Sequence, residues 1–368
     1  LDGHVYWDNP AWRGRTWDYA GRDWSVGNRS QVSCETGGKM RWLAMYQVAG
    51  KPMSITEYNH SWPNTSAGEA PLYLAVHGAR QGWDALYLFA YGHDADYLTN
   101  TIRGLDIRQH PTQLANLPIA ALIFRRGDLT PLASVRQAPL PPDRELELAA
   151  TKGGSWNLAN GFKAGLDAND ILRHRLELVV DPAATLVTAP RYAGGFRWGD
   201  DQAAQEGQGD TAVLRVDTRR TKAAFGHLAS RLLVFGDGVA VRVGPTAAGT
   251  ATCAVSLLGG DSFSAPRQAL VVVTAAAANT GQAWKRSADA DGQSRWEITD
   301  CGRAPTCIET VAVDLELPAP RGLPQVFRLD ERGQRAEALT VTASNPGRAA
   351  VALGRSAPAL AYAVEWEP

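Results

Sequence analysis

The pattern of hydrophobic residues changes near residue 129 of this 368-residue chain, and this change constrains the fold more than any other feature. Before residue 129, short β-rich runs alternate with segments of helical periodicity. The expected elements are a strand at 4–7, a helix at 39–49, a strand at 53–56, a helix at 71–82, a strand at 85–90 and a helix from 114 to about 125. The 85–90 run is nearly all apolar, as in parallel strands buried on both faces. This alternation predicts an α/β layer, either a barrel or a doubly wound sheet.

After residue 129 the chain has short β-type runs separated by turns, with little helical periodicity. A proline-rich stretch at 131–142 has the composition of a linker. The later runs predict an antiparallel β-sandwich. We therefore expect an α/β region at 1–128, a linker with the first strands at 129–185, and a β-sandwich domain at 186–368.

The charge of the chain excludes one class of partner. Lys and Arg number 37 and Asp and Glu 38, which gives a net charge of −1. A nucleic-acid-binding protein would need a basic field that this balance does not supply. No apolar run approaches the roughly 20 residues of a membrane span. We expect neither a nucleic acid nor a membrane as partner.

Glu57 is the sharpest candidate for a catalytic residue. It follows the predicted 53–56 strand directly, and the carboxyl ends of parallel strands host the active sites of barrels and open α/β sheets. Asn59 and Trp62 come just behind it and add hydrogen-bonding and stacking groups. The simpler interpretation is a glutamate in an ordinary salt bridge at the end of a strand.

His4 and Tyr6 lie two residues apart on the first predicted strand, so their side chains point to one face. Together they could hydrogen-bond a carboxylate of a neighbouring strand, orient it and lower its pKa. For His4 taken alone, a satisfied structural histidine is the commoner outcome.

Aromatic residues are concentrated in the front part of the chain. The segment behind the first strand carries Trp12, Trp17 and Trp24 among Arg and Asp residues. Aromatic faces beside guanidinium donors suit flat, hydroxyl-rich ligands such as sugars. The alternative is a loop folded over its own aromatic cluster.

The end of the third predicted strand carries a second aromatic and polar group. Phe89, Tyr91, His93 and Asp94 follow one another there in the same manner as the residues around Glu57. The alternative interpretation is core aromatic residues with a capping aspartate.

The cysteines bear on the compartment of the protein. Cys301 and Cys307 bracket a turn-rich loop that a disulfide could join, which would imply an oxidising compartment. No CxxC spacing and no HExxH motif occurs, so neither a zinc cluster nor a zinc protease is expected. We expect no metal and no organic cofactor.

Several motifs resemble parts of one enzyme clan. The His4-x-Tyr6 strand, the Ile55-Thr56-Glu57 strand end and the 88–91 strand look like strands six, seven and eight of clan A glycoside hydrolases, which are cellulase-like (β/α)₈ enzymes. The 51–60 segment is similar to the nucleophile strand of large bacterial members. Further resemblances are those of 116–128 to their last barrel helix and of 216–221 and 278–281 to their C-terminal β-domain.

The resemblance implies a fold and a function. The fold would be the last three βα units of a TIM barrel followed by an antiparallel β-sandwich. The protein would be a secreted or periplasmic retaining glycosidase that acts on β-linked glycosides or polysaccharides, with Glu57 as nucleophile. His4 and Tyr6 would position and ionise that glutamate. Substrate would contact Trp7, Trp12, Trp17, Trp24, Asn59, Trp62, Phe89, Tyr91 and His93.

The sequence departs from this clan in one respect. A retaining enzyme needs a second carboxyl group as general acid/base, which the clan carries behind an Asn on strand four. No Asn-Glu dipeptide exists here, and 128 residues are about half of the ~250 that a barrel takes. We therefore expect the N-terminal part of the protein, with the acid/base glutamate, to lie outside this chain. The alternatives are a non-catalytic carbohydrate-binding or scaffold protein on a degenerate glycosidase fold, and a polysaccharide lyase or other sugar-acid enzyme.

Overall fold

The computed structural model describes residues 1–12, 24–34, 38–92, 100–150, 166–167, 170–181, 183, 197–289, 292–356 and 358–367. Strands make up 41% of the structure and helices 17%. The front region contains β1 (Asp2–Trp7), β2 (Ala11–Trp12), β3 (Trp24–Val26), α1 (Met40–Ala44), β4 (Ser54–His60), α2 (Ala70–Gln81), β5 (Ala85–Leu86) and α3 (Pro111–Phe124).

The rest of the chain, where the structure describes it, is mostly β-structure. Its elements are β6 (Val135–Pro139), α4 (Pro142–Ala150), β7 (Arg175–Val179), β8 (Arg197–Gly199), β9 (Ala203–Glu206), β10 (Val213–Asp217), β11 (Thr221–Gly226), β12 (Leu232–Val234), β13 (Ala240–Val243), β14 (Ala251–Gly259), β15 (Gln268–Thr274), β16 (Ala277–Thr280), β17 (Ala283–Ala288), β18 (Ser294–Asp300), β19 (Arg303–Ile308), β20 (Val313–Pro318), β21 (Gln325–Leu329), β22 (Arg335–Leu339), β23 (Val341–Asn345), β24 (Arg348–Leu353) and β25 (Ala361–Glu365).

The prediction of a partial (β/α)₈ barrel made of three βα units is wrong. The fold is mostly strand, and the parallel sheet of the front region, as far as the structure describes it, has three strands in the order β1-β4-β5. The strand expected at 85–90, buried on both faces, is instead a two-residue edge strand. Leu86 and Leu88 pack against the core, while Tyr87 is 58% exposed. The apolar run therefore covers one buried face only.

A β-sandwich forms the rear of the molecule. One sheet has nine strands in the order β22-β21-β25-β15-β14-β11-β10-β9-β8, and the other has five in the order β12-β13-β20-β24-β23. Neighbouring strands pair antiparallel throughout both sheets. Val255 and Val271 of the larger sheet share a core with Val241 and Leu315 of the smaller one. Burial of apolar area between the two sheets stabilises this packing.

The second face of the nine-stranded sheet packs on the helices of the front region. The ring of Tyr73 on α2 lies 6.2 Å from that of Phe225 on β11, edge to face. The Asn116 amide on α3 donates to the hydroxyls of Thr252 at 3.1 Å and Thr274 at 3.0 Å. The nine-stranded sheet is thus covered on both faces, and the front and rear regions share one continuous core.

The hairpin β17–β18 also reaches the front region. Strand β18 pairs with β3, and β3 pairs with β2, in a four-stranded sheet of order β17-β18-β3-β2. None of the helices in the described ranges is both long and apolar enough to cross a membrane.

Candidate active site

A β-bulge in β4 determines which way Glu57 faces. Strict alternation would put Ile55 and Glu57 on one face of the strand. In the structure Gly3 of β1 pairs with Ile55 and His4 pairs with Glu57, so Thr56 is an extra residue. Beyond this bulge Tyr58 faces the main core together with Ile55, and Glu57 faces the other side. Bulges commonly redirect side chains beside functional sites.

Glu57 lies near the middle of β4 rather than at its end, with 31% of its side chain exposed. The hydroxyl of Tyr6 donates a hydrogen bond of 2.5 Å to Glu57 Oε2. The other oxygen, Oε1, lies 3.5 Å from His4 Nδ1. The structure therefore brings the three predicted catalytic residues together. A short hydrogen bond to a carboxylate stabilises its charged form.

Asn59 is fully buried and ties the strands together. Its amide nitrogen donates to the carbonyl oxygens of Phe89 at 3.2 Å and Leu105 at 2.7 Å. Its oxygen accepts from the Gln113 amide at 2.9 Å. The side chain thus holds the segment behind β5 against β4, and the structure does not bring it to a surface where substrate could touch it.

The tryptophans expected to contact substrate are enclosed where their side chains are described. Trp24 and Trp62 are 0% and 1% exposed and belong to one small core, and Trp7 is 7% exposed. The indole of Trp62 donates to Gln282 Oε1 at 3.1 Å, just ahead of the β17–β18 hairpin. Ile298 of that hairpin packs in the same core as Trp24 and Trp62, and none of the three rings is open to a ligand. The side chain of Trp12 and all of Trp17 and His93 lie outside the described residues.

The aromatic residues that reach the surface come from β5 and the segment behind it. The ring of Phe89 contacts that of Tyr6 edge to face at 5.8 Å. Tyr87 follows the two-residue strand β5 and, with Leu88 and Tyr91, lines a pocket against α2 and α3. Tyr91 is 64% exposed. Sequence reasoning missed Tyr87, and the available signal was its position between two leucines that pack on the core.

Asp2 is a second residue that sequence reasoning missed. Its Oδ2 lies 2.8 Å from His4 Nε2 and accepts a 2.5 Å hydrogen bond from the Thr56 hydroxyl. The signal was the spacing Asp2-x-His4-x-Tyr6, which puts three polar side chains on one face of a strand.

A buried polar network lies on the core side of the same strand. Glu69, 2% exposed, accepts hydrogen bonds from the Ser30 hydroxyl at 2.8 Å and the Gln31 backbone at 2.6 Å. Burial raises the pKa of Glu69 to about 7, although these hydrogen bonds lower it. Burial, with the nearby His110, lowers the pKa of His60 to about 3. Near neutral pH this network therefore holds a neutral imidazole 4.0 Å from a carboxyl group that is close to its own pKa.

The expected disulfide is not formed. Cys307 lies inside strand β19, whereas Cys301 precedes that strand, and the two are not joined. An extended chain rises about 3.3 Å per residue, so the strand holds the two sulfurs too far apart to bond. The loop predicted between them is strand in the structure. Among the described residues, no cluster of three or more His, Cys, Asp or Glu is placed to bind a metal.

Comparisons with protein-family models, with curated proteins and with solved structures found no match. Function is therefore inferred from the geometry around Glu57.

Proposed function

We propose that this protein is a retaining glycosidase for β-linked glycosides or polysaccharides, with Glu57 as its nucleophile. One observation carries the proposal: a partly exposed carboxylate accepts a 2.5 Å hydrogen bond from Tyr6, while His4 faces its second oxygen. A nucleophilic carboxylate has to be ionised and held in one orientation, and a phenol and an imidazole at its two oxygens serve both needs.

The proposed reaction has two steps. An oxygen of Glu57 attacks the anomeric carbon, the bond from that carbon to the leaving oxygen breaks, and the leaving oxygen takes the electron pair and a proton from an acid. Water then attacks the same carbon, gives up a proton to the same group, and releases Glu57. The sugar leaves with the configuration that it had at the start.

The acid/base group is proposed to lie outside this chain. A retaining mechanism needs a second carboxyl about 5–5.5 Å from the first. The Asn-Glu dipeptide that carries this group in clan A glycoside hydrolases does not occur in the sequence. We therefore assign the second carboxyl to another part of the protein, on the same or on a separate polypeptide. Because polysaccharides do not cross membranes, we propose that the protein acts outside the cytoplasm, as a secreted or periplasmic enzyme.

Phe89 and Tyr87 are the residues that we propose to bind the sugar. The ring of Phe89 contacts that of Tyr6 beside Glu57, and Tyr87, two residues earlier, is 58% exposed. The C–H faces of a pyranose pack on aromatic rings while its hydroxyls remain free for hydrogen bonds. Tyr91, at 64% exposure, would extend this surface.

The first step can be tested in this chain alone, because a dinitrophenolate leaves without help from an acid. The probes are 2,4-dinitrophenyl 2-deoxy-2-fluoro-β-glycosides of the gluco, galacto, manno and xylo series. We expect one of them to release one equivalent of dinitrophenolate. The protein should gain the mass of one fluoroglycosyl group, and peptide mapping should place that group on Glu57.

Two variants make this test specific. Glu57→Gln should abolish both the release and the mass increase. Tyr6→Phe should slow the release by about 10- to 100-fold, because it removes one charge-assisted hydrogen bond from the carboxylate. Labelling at a different carboxyl group, or equal labelling of the glutamine variant, would show that Glu57 is not the nucleophile.

The second candidate is a protein that binds carbohydrate without cleaving it. The exposed rings of Tyr87 and Tyr91 favour it. In that case the Glu57→Gln variant binds oligosaccharide as well as the parent does, and Tyr87→Ala weakens binding. Calorimetry with β-linked oligosaccharides separates the two functions when no probe labels the parent protein.

A further inference from the structure

We propose that Asp2 is a positioning residue, which fixes the ring of His4 with Nδ1 toward Glu57 and pins the bulge that turns Glu57 out of the core. This role rests on the proposed function for its use in catalysis, but its geometry can be tested separately. Asp2 is 40% exposed on the outer strand of the parallel sheet.

The first part of the argument concerns the bulge. Thr56 is the extra residue of β4 and lacks a partner residue on β1. Its backbone N–H donates to Asp2 Oδ1 at 3.1 Å, and its hydroxyl donates to Oδ2 at 2.5 Å. The hydroxyl of Ser54 also donates to Oδ1, at 3.1 Å. The Asp2 carboxylate thus accepts hydrogen bonds from groups of β4 that are not part of the backbone pairing between β1 and β4.

The second part concerns the imidazole. An ionised carboxylate only accepts hydrogen bonds, so the His4 nitrogen that lies 2.8 Å from Asp2 Oδ2 has to carry a proton. Partial burial alone would raise the pKa of Asp2, but its side-chain hydrogen bonds hold the pKa below the usual value, so this carboxyl is ionised at neutral pH. With Nε2–H committed to Asp2, Nδ1 is the nitrogen that faces Glu57.

This arrangement has a use in the proposed reaction. Because Asp2 holds Nε2, the ring of His4 keeps Nδ1 3.5 Å from Glu57 Oε1 and limits the positions open to that oxygen. Asp2 acts through His4 and does not touch the reacting atoms.

The test is the position of the proton on His4, read from ¹⁵N NMR of the ring nitrogens at alkaline pH, where an imidazole is neutral. We expect the Nε2–H form in the parent protein and in Glu57→Gln. In Asp2→Asn the amide oxygen at the Oδ1 position can keep the bonds from the Ser54 hydroxyl and the Thr56 backbone N–H. The amide nitrogen at the Oδ2 position loses the bond from the Thr56 hydroxyl and donates to His4 Nε2. The proton should then move to Nδ1. An unchanged Nε2–H form in Asp2→Asn would overturn the proposal.

A matched control is available on the same sheet. Asp84 Oδ2 accepts from the Met53 backbone at 2.8 Å and has no described contact with His4. Asp84→Asn should leave the Nε2–H form of His4 intact, and a change there would show that the signal reports general loosening of the sheet. If no probe labels the parent but the proton still moves, the proposed function fails and the positioning role stands.

Discussion

At the scale of single residues, a carboxyl group lies on each side of β4, and the two groups have opposite environments. Glu57 stays partly exposed on one side and is held by Tyr6 and His4. Glu69 lies behind the other side, buried with neutral partners, and burial raises its pKa to about 7. Desolvation disfavours a charge, whereas hydrogen bonds to the charged form favour it. Only the first environment suits a nucleophile, and the second makes Glu69 a stability determinant.

Glu69 should make the stability of the protein fall with rising pH. Its pKa in the folded protein is raised from 4.5 to about 7, so its stabilising contribution is complete below 4.5 and is lost as the pH rises through 7. The loss amounts to about 3 kcal/mol. Urea unfolding of the parent and of Glu69→Gln over this range should show the parent losing stability relative to the variant.

The comparison with the variant is needed because buried histidines act in the opposite direction. Burial lowers the pKa of His60 and of His77 to about 3, so each of them costs stability as the pH falls below 6.5. The contributions of these histidines are common to both proteins. They cancel when the free energies of unfolding of the parent and of Glu69→Gln are subtracted. A difference that does not change with pH between 4.5 and 7 would contradict the assignment to Glu69.

At the scale of elements, the bulge in β4 is the feature that organises the site. With Thr56 as the extra residue, Ile55 and Tyr58 both reach the core, although they are three positions apart. The core packing of the strand therefore does not require Thr56. What Thr56 supplies is a backbone N–H and a hydroxyl for Asp2.

Deletion of Thr56 should consequently leave the protein folded. The shortened strand would alternate regularly, with Ile55 and Tyr58 still facing inward. We expect a loss of about 1–3 kcal/mol in the free energy of unfolding, because the bonds to Asp2 disappear. The control is Thr56→Ala, which keeps the chain length and should cost about 1 kcal/mol. Loss of cooperative unfolding in the deletion variant would show that the extra residue is required by the fold.

The elements also show what sequence reasoning can and cannot reach. Helix α2 was predicted from Pro71 to Gly82, and both signals act locally: proline fits the first turn, and Gly82 ends the helix at φ +71°. Glu57, His4 and Tyr6 were found because strand alternation and strand position are readable from the sequence. The bulge depends on contacts with Asp2 across 54 residues, so no local pattern reveals it.

The errors have physical causes as well. The apolar 85–90 run was interpreted as a buried strand, yet Leu86 and Leu88 supply the buried face alone and Tyr87 points outward. A tryptophan that is typical of sugar binding is also typical of a core, and only tertiary packing distinguishes them. Trp24 and Trp62 became core residues because the β17–β18 hairpin, more than 200 residues away, covers them.

At the scale of the whole molecule, the nine-stranded sheet joins the front region to the sandwich. Successive residues of β11 serve different cores: Ala223 and Phe225 face the front helices, and Ala224 faces the five-stranded sheet. A core divided in this way makes the stability of each region depend on the other. Folding and unfolding should then occur as one cooperative event.

Phe225→Ala should therefore destabilise both regions together. The loss of a buried phenylalanine costs about 3–5 kcal/mol, and this ring also contacts Tyr73 on α2. Tryptophan fluorescence, dominated by the front region, and far-ultraviolet circular dichroism, to which the strands of the sandwich also contribute, should give coincident transitions at a lower denaturant concentration. Val234→Ala, at a position 58% exposed, should change stability by less than about 0.5 kcal/mol. Two separate transitions in the parent protein would contradict a shared core.

The doubly covered sheet also limits how the molecule can move. Domain closure requires a plane along which two bodies rotate or slide, and here the plane between front and rear is filled by the interlocked rings and amides of α2, α3 and the sheet. Closure of the front region over the sandwich would have to break these contacts. A ligand would meet a carboxylate that is already in position. Its binding would rearrange side chains and loops around the site rather than the strands that carry it.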